Sequence, residues 1–328
     1  MPINLLCSII ISFFSGIFLV ILLRKISLKY NLLISKGIPL IGGISICLSF
    51  LIGCLYANNF YVPLNKDILG ILFASFLMLV FGIIDDFHEL SISVKFISQF
   101  IAASFLIFFG VKTQIIYFSA PINIIITYIW IIGITNAFNH LDILDGLTAG
   151  NAIIICVAFY ILSILNINIT TLILSLCLTA ATLAFFIFNF PPAKIYMGNS
   201  GSHFLGFVLS AIALKISYAS LNNSIAIFSP LVILGFPIID TAFLILIRSS
   251  KNILPFKKSN DHLALRFLTF NYSKRKTLLI MLGWCLFFSI SGVIITKISN
   301  LQAAILIIIV ILLSIFLANK MLKTNLNA

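Results

Sequence analysis

The chain has 328 residues, of which 62% are hydrophobic and only 9% charged, and its mean hydropathy is +1.23. A water-soluble globule of this length needs far more charge on its surface, so the composition excludes one and implies an integral membrane protein. The net charge of +12, from 20 Lys and Arg against 8 Asp and Glu, does not point to nucleic acid, because long Ile, Leu and Phe runs separate the cations and leave no aromatic, basic groove for a strand.

In chain order, polar breaks divide the sequence into eleven apolar segments, at about 3–23, 38–56, 68–84, 94–111, 121–138, 147–165, 169–189, 203–219, 225–247, 277–296 and 301–319. Each approaches the ~20 residues that a spanning helix requires. The expected fold is therefore all-α, a polytopic bundle of about eleven transmembrane helices forming a single membrane-embedded domain over residues 1–328. No cation precedes the first apolar run and Arg24 and Lys25 follow it, so it reads as an anchor rather than a cleaved signal. The six cysteines all lie within apolar segments with no CxxC pair, which suits packing rather than disulfides or zinc.

Alternating the loops across the bilayer puts sixteen cations on one side and leaves only Lys66, Lys112, Lys215 and Lys297 on the other. The positive-inside rule then places the N-terminus outside and the C-terminus in the cytoplasm. Of the eight acids only Asp67 falls on an outside loop, whereas Asp85, Asp86, Glu89, Asp142, Asp145 and Asp261 fall at cytoplasmic helix ends or loops. Acids contribute little to topology, so their clustering calls for another cause, such as a site that handles a metal and phosphates. Asp240 lies seven residues before Arg248, roughly 10 Å below the cytoplasmic edge at helical rise, and an acid at that depth is expected to be functional or paired.

Four segments carry the chemistry. After the third span comes Gly82-Ile83-Ile84-Asp85-Asp86-Phe87-His88-Glu89; if the helix continues, its three carboxylates share one side and repel unless a cation or proton relieves them. The alternative is a solvated helix end, and neither aspartate is expected to hold the fold. After the fifth span, Asn139, Asp142 and Asp145 recur every third residue, along a helical stripe or around a short loop. They offer hard oxygens that suit Mg²⁺ sharing its shell with phosphates, or alternatively plain helix caps. After the seventh span, Met197-Gly198-Asn199-Ser200-Gly201-Ser202 opens a helix whose N-terminal N–H groups can receive a phosphate, unless it is an ordinary glycine turn. His203 is expected to cap that helix region. The loop from Arg248 to Lys276 holds eight of the twenty cations together with Asp261 and His262, a composition suited to nucleotide or lipid phosphates or to stopping translocation.

Together these segments resemble the polyprenyl-phosphate N-acetylhexosamine-1-phosphate transferases, the MraY/WecA-like glycosyltransferase family 4. Lys36-Gly37-Ile38-Pro39-Leu40-Ile41-Gly42-Gly43 is similar to the family's first cytoplasmic loop, Asp85-Asp86 to its paired aspartates, 136–146 to its asparagine and double-DG segment, and 197–206 to its MGDxGSxxLG segment. Pro237-Ile238-Ile239-Asp240-Thr241 with Arg248 resembles its late Pro-x-x-Asp-Thr helix, and Asp261-His262-Leu263 a loop that bears several histidines in relatives. The chain departs from the pattern at Ile143, which replaces a DG glycine, at Asn199, which replaces a metal-binding aspartate, and at Ala264 and Leu265, which stand where relatives often carry histidine or other polar groups. Lacking the triple histidine, it resembles the WecA-like branch rather than the MraY branch.

The resemblance implies attack by a polyprenyl (undecaprenyl) phosphate on the β-phosphorus of a UDP-N-acetylhexosamine such as UDP-GlcNAc. UMP is released in the first membrane step of a cell-envelope glycan, such as O-antigen lipopolysaccharide or another cell wall polymer, at the cytoplasmic face of a bacterial inner membrane. It implies Mg²⁺, with Mn²⁺ as a substitute, and a second copy of the chain as a candidate partner. Carried over residue by residue, Asp85 accepts the lipid phosphate's proton or acts beside it, and Asp86 assists. His262 completes the catalytic set at the diphosphate, Asn139 and Asn199 hold the metal, and Lys36, Asp142, Asp145 and Arg266 contact substrate. The competing readings are a multispan transporter or lipid flippase, whose ionisable residues belong near the midplane where only Asp240 approaches, and an inactive relative of the transferase.

Overall fold

The computed structural model describes residues 3–63, 65–219, 223–252 and 261–322; Lys257, Lys258 and Lys323 of the charge count lie outside them. It is built from helices α1 (Ile3–Tyr30), α2 (Gly42–Phe60), α3 (Lys66–Phe87), α4 (Ile92–Phe108), α5 (Ala120–Leu141), α6 (Leu147–Leu165), α7 (Ile169–Asn189), α8 (Gly198–Lys215), α9 (Ser229–Ile233), α10 (Gly235–Ser250), α11 (Leu263–Leu268), α12 (Lys274–Ile295) and α13 (Asn300–Leu322). A two-stranded hairpin, β1 (Ile34–Ser35) and β2 (Ile38–Pro39), joins α1 to α2. Among the described residues, eight helices are long and apolar enough to cross a membrane, or nine crossings if the bent pair 224–233 and 235–250 counts as one. The chain is thus a multi-pass helical membrane protein, and a wide band of exposed Ile, Leu and Phe on α1, α4 and α13 is the surface that lipid covers.

Side chains set many of the helix starts. Asn65, Ser91, Asn168 and Ser273 each accept a backbone N–H three residues on, opening α3, α4, α7 and α12. These caps satisfy donors that would otherwise be orphaned at a helix N-terminus. Helix α8 is buried on nearly every side and packs against α2, α3 and α5. Its small residues allow this: a Cβ on Gly206 would lie 2.8 Å from Thr135 Cα, the close approach that small residues permit between helices of a membrane bundle. In the apolar span region, Gln99 of α4 and Asn136 of α5 exchange amide hydrogen bonds of 2.7 and 3.2 Å.

Three expectations are corrected. The second apolar segment begins at Gly42 rather than 38, because Ile38 and Pro39 form a strand across a turn with left-handed Lys36 (φ 51°) and Gly37 (φ 77°), the geometry of a tight hairpin. Residues 225–247 do not form one helix: the chain bends by 69° between Ile233 and Gly235. Pro237 has no N–H to donate to that turn, and Gly235 brings the backbone so close to α12 that a Cβ would sit 2.7 Å from Phe288. Helix α8 starts at Gly198, not 203, for a reason that lies in the site.

Candidate functional site

The loops at one end of the bundle are fastened to one another through the backbone. Gly42 and Gly43, opening α2, donate to the carbonyls of Tyr196 and Met197, and Tyr196 donates in turn to Pro39. The Asn189 amide accepts from Gly146 N–H (2.8 Å) and donates to the Ile195 carbonyl (2.8 Å), while Asp145 accepts from Ala193 N–H (3.2 Å). The hairpin, the loop after α5 and the loop after α7 therefore form one assembly. Between them lies a cavity of ≈ 370 Å³ lined by Ser35, Leu40, Asp85, Asp86, Glu89, Asp142, Gly198 and Asn199.

Each acid reaches this cavity by its own route. Helix α3 ends at Phe87 and His88 is extended, so Glu89 does not continue the helical face as expected; it arrives on the following turn, shaped by Leu90 N–H donating to Asp85 Oδ1 at 2.8 Å. Asp85 is buried, and its other oxygen meets the Lys95 ammonium at 2.7 Å. Asp86 accepts from the N–H groups of Asn199 (2.7 Å) and Ser200 (3.0 Å). It is the N-terminal cap of α8, so the expectation that neither aspartate holds the fold is corrected. The expectation of free N–H groups there is corrected too, since a carboxylate of the chain already fills the place of an anion. His203, expected as the cap, instead lies buried inside α8. Gly198 has φ +74°, and a Cβ on it would fall 2.6 Å from Asp86 Oδ2, so only glycine admits the carboxylate.

Helix α5 stops at Leu141, and Asp142 and Asp145 lie on the loop that follows, the loop alternative of the spacing. Asp142 lines the cavity and accepts from the Thr148 hydroxyl at 3.1 Å. Burial pushes its carboxyl up to about 7; the Thr148 hydrogen bond opposes the rise, and the Asp86 and Asp145 charges add to it. Asn139 donates from its amide to Asn199 Oδ1 (3.0 Å) and Ser202 Oγ (3.1 Å), bringing the two candidate metal ligands together. Lys36 is exposed at the hairpin turn, next to the cavity-lining Ser35.

His262 and Arg266 fall in a second cluster and are not among the residues lining the cavity. His262 Nδ1 lies 3.2 Å from Asp240 Oδ2, and Leu263 N–H donates to Asp240 Oδ1 at 3.1 Å, so the buried acid of α10 is a paired one. Arg266 is buried, bonds the Asp261 carboxylate (2.9 Å) and the Met321 carbonyl (3.0 Å), and lies over the Phe243 ring. Burial works to raise the Asp261 carboxyl, but Lys251 at 2.8 Å and Arg266 outweigh it and hold it below the ordinary carboxylate range. His140, beside Asn139, is within electrostatic reach of His262 and Asp240, so the cluster abuts the site.

Sequence reasoning counted Lys95 toward topology alone and passed over Asn189 and Thr148. Lys95 had a legible signal, being the lone cation soon after the paired aspartates; the other two become visible only with the loops assembled.

The donor set can be tested against a metal. Every polar side chain lining the cavity offers oxygen, the hard ligand Mg²⁺ takes, and four of them, Asp85, Asp86, Glu89 and Asp142, are carboxylates whose mutual repulsion a cation relieves. Among the described residues, no group of three or more His, Cys, Asp or Glu is placed to enclose an ion alone. The residues fit an ion held by two or three side chains and completed by substrate phosphates, not a closed protein cage.

Comparison with known proteins gives a consistent picture. Residues 68–217 match the model of glycosyl transferase family 4. The chain is 34% identical over 292 residues to the probable undecaprenyl-phosphate N-acetylglucosaminyl 1-phosphate transferase of Bacillus subtilis (strain 168), covering 85% of this chain and 78% of that one. It is 30% identical over 258 residues to the undecaprenyl-phosphate alpha-N-acetylglucosaminyl 1-phosphate transferase of Thermotoga maritima, covering 78% and 77% of the two chains. A phospho-N-acetylmuramoyl-pentapeptide-transferase of Streptococcus sanguinis is also 30% identical, but over 55% of this chain and 60% of its own length. With a relative of that identity matched along most of both chains, and with polar residues of three separate segments, Asp85, Asp86 and Glu89, then Asp142, then Asn199, meeting in one cavity, the chain belongs to glycosyl transferase family 4.

Proposed function

We propose that this protein transfers an N-acetylhexosamine-1-phosphate from a UDP-sugar to a polyprenyl phosphate and releases UMP. The observation that carries this reading is the convergence of Asp85, Asp86, Glu89, Asp142 and Asn199 on one cavity at an end of a bundle of membrane helices. An oxygen of the lipid phosphate attacks the β-phosphorus, the bond from that phosphorus to the oxygen bridging it to the α-phosphate breaks, and UMP departs with that oxygen. Asp85, at the cavity wall, receives the proton of the attacking phosphate. Lys95 shares its ammonium with Asp85 and offsets the charge of the arriving anion. Asp86 acts at one remove, holding the 198–200 turn against the cavity. Asn139, Asp142 and Asn199 would hold Mg²⁺, which when bound supplies the positive charge that phosphoryl transfer between two anions requires. His262 and Arg266 serve as the neighbouring wall rather than as direct contacts.

The test is to incubate membranes containing the protein with polyprenyl phosphate and a panel of labelled UDP-sugars, following UMP and lipid-linked product. A plain UDP-N-acetylhexosamine is expected to be used and the peptide-bearing muramyl nucleotide refused; Ala264 and Leu265, buried or half-buried in α11, offer no polar group to a peptide. Transfer of the muramyl pentapeptide in preference would overturn the assignment.

The orientation belongs to the same reading: eleven crossings, the N-terminus outside, and the cavity on the cytoplasmic face of a bacterial inner membrane. Its support is the sixteen-to-four distribution of cations. Cysteines introduced at Lys36 and Lys194, both exposed on the cavity side, are expected to resist a membrane-impermeant thiol reagent in whole cells and to react in opened membranes. Labelling of either in intact cells contradicts the orientation.

A further inference from the structure

Away from the carboxylate cavity, a groove of ≈ 270 Å³ opens between α12 and α13, lined by Ile280, Gly283, Trp284, Phe287 and Leu313. The lining positions on α12 follow helical spacing, a single stripe along the span. Gly283 makes the notch: it is exposed, and a Cβ added there would meet nothing within 4 Å. Both helices are long and apolar enough to cross the membrane, so what fills the groove there is hydrocarbon rather than water.

The same stripe continues to a charge on each wall. Lys276 precedes Gly283 by seven residues and Lys320 follows Leu313 by seven. A step of seven residues returns to nearly the same helix face, about 10 Å further along the axis. The two helices are consecutive and antiparallel, joined by the short connection 296–299, so both steps lead to the same end of the groove. Lys320 is exposed, and Lys276 is exposed with its ammonium 4.1 Å from the centre of the Tyr272 ring. An apolar slot with two cations and an amphipathic aromatic at one mouth matches an anionic lipid, its tail in the slot and its headgroup at the lysines. We infer that this groove is a binding site for an anionic glycerophospholipid, separate from the reacting lipid. The separation follows from the walls: the groove lies between α12 and α13 and shares no lining residue with the cavity, which is built from the hairpin and the ends of α3, α5 and α8.

Trp284 is a built-in reporter, since the chain has only two tryptophans and the other, Trp130, can be removed as Trp130→Phe. The purified full chain carrying that change is placed in phosphatidylcholine vesicles doped with either phosphatidylglycerol or phosphatidylcholine brominated on its tails. Brominated phosphatidylglycerol is expected to quench Trp284 at about tenfold lower mole fraction than brominated phosphatidylcholine, the scale of two cations acting on one headgroup. Lys276→Gln with Lys320→Gln should erase that preference without abolishing quenching, and unbrominated phosphatidylglycerol should reverse it where added polyprenyl phosphate at equal mole fraction does not. Equal quenching by both lipids, reversal by polyprenyl phosphate alone, or protection of Trp284 that grows with protein density, as when a second copy covers the groove, each overturns the inference. Gly283→Leu, which fills the notch into open space, serves as the folded control and should weaken quenching by both lipids. None of these readouts depends on turnover, so the result stands apart from the proposed transferase reaction.

Discussion

Asp86→Asn is expected to slow UMP release by about 100-fold, the scale of misplacing a reacting geometry by about 1 Å when the 198–200 turn loosens, and also to destabilise the fold by about 1 to 2 kcal/mol, the scale of a lost helix cap. Asp85→Asn is expected to cost at least about 100-fold in rate, the scale of losing a positioned acid or base, without the loss of stability. The difference comes from what each carboxylate holds. Asp86 receives two backbone N–H groups at the start of α8, and an asparagine there keeps one acceptor oxygen but turns an NH₂ toward a donor. Asp85 faces Lys95, whose side chain is 22% exposed, so the freed ammonium can turn to water instead of remaining buried and unpaired. Rate and thermal midpoint measured on the two variants in the same detergent separate the roles. Normal turnover in both would reduce the paired acids to a helix end, and equal midpoints would remove the capping role from Asp86.

This division of labour was not legible in the sequence, and the reason is distance along the chain. The apolar runs that became α6 and α7 could be read to the residue, because burial in a bilayer needs only length and hydropathy, both local. The start of α8 could not, because its cap comes from Asp86, 113 residues before Asn199. The glycine-rich stretch looked like an open anion site for the same reason: the anion that fills it is supplied by another helix. His262 and Arg266 show the converse case. Their loop reads as free cations awaiting phosphate, yet Asp240 on the bent α10 and Asp261 next to His262 take them up. The bend at Leu234 had its signal in Gly235 and Pro237, whereas the pairing it permits did not. What composition and spacing did reveal was the set of acids on one side; what they could not reveal was which of those acids face the cavity and which hold its walls.

The second large effect is expected at Asn199, in the requirement for metal. Asn199→Asp should lower the Mg²⁺ concentration for half-maximal UMP release, and Asn199→Ala should raise it or abolish turnover. Asn199 lines the cavity and its Oδ1 accepts the Asn139 amide at 3.0 Å. That oxygen is a hard ligand without formal charge, and the affinity of oxygen sites rises with ligand charge. An aspartate would keep the hydrogen bond from Asn139, strengthen it by bringing a charge to it, and add one negative charge to a cavity that already drives the Asp142 carboxyl up to about 7. Without a cation that extra charge is a cost, so Asn199→Asp should be less stable than the parent when metal is chelated and should regain stability as Mg²⁺ is added. Alanine removes the ligand and leaves the Asn139 amide with Ser202 Oγ, 3.1 Å away, so the local fold should survive while the ion is held by fewer groups. The measurement is a Mg²⁺ titration of UMP release for the three proteins in parallel, with thermal midpoints taken with chelator and with saturating metal. Superimposable titrations, with midpoints that respond alike to Mg²⁺, would make Asn199 a turn residue and place the metal on other side chains of the cavity.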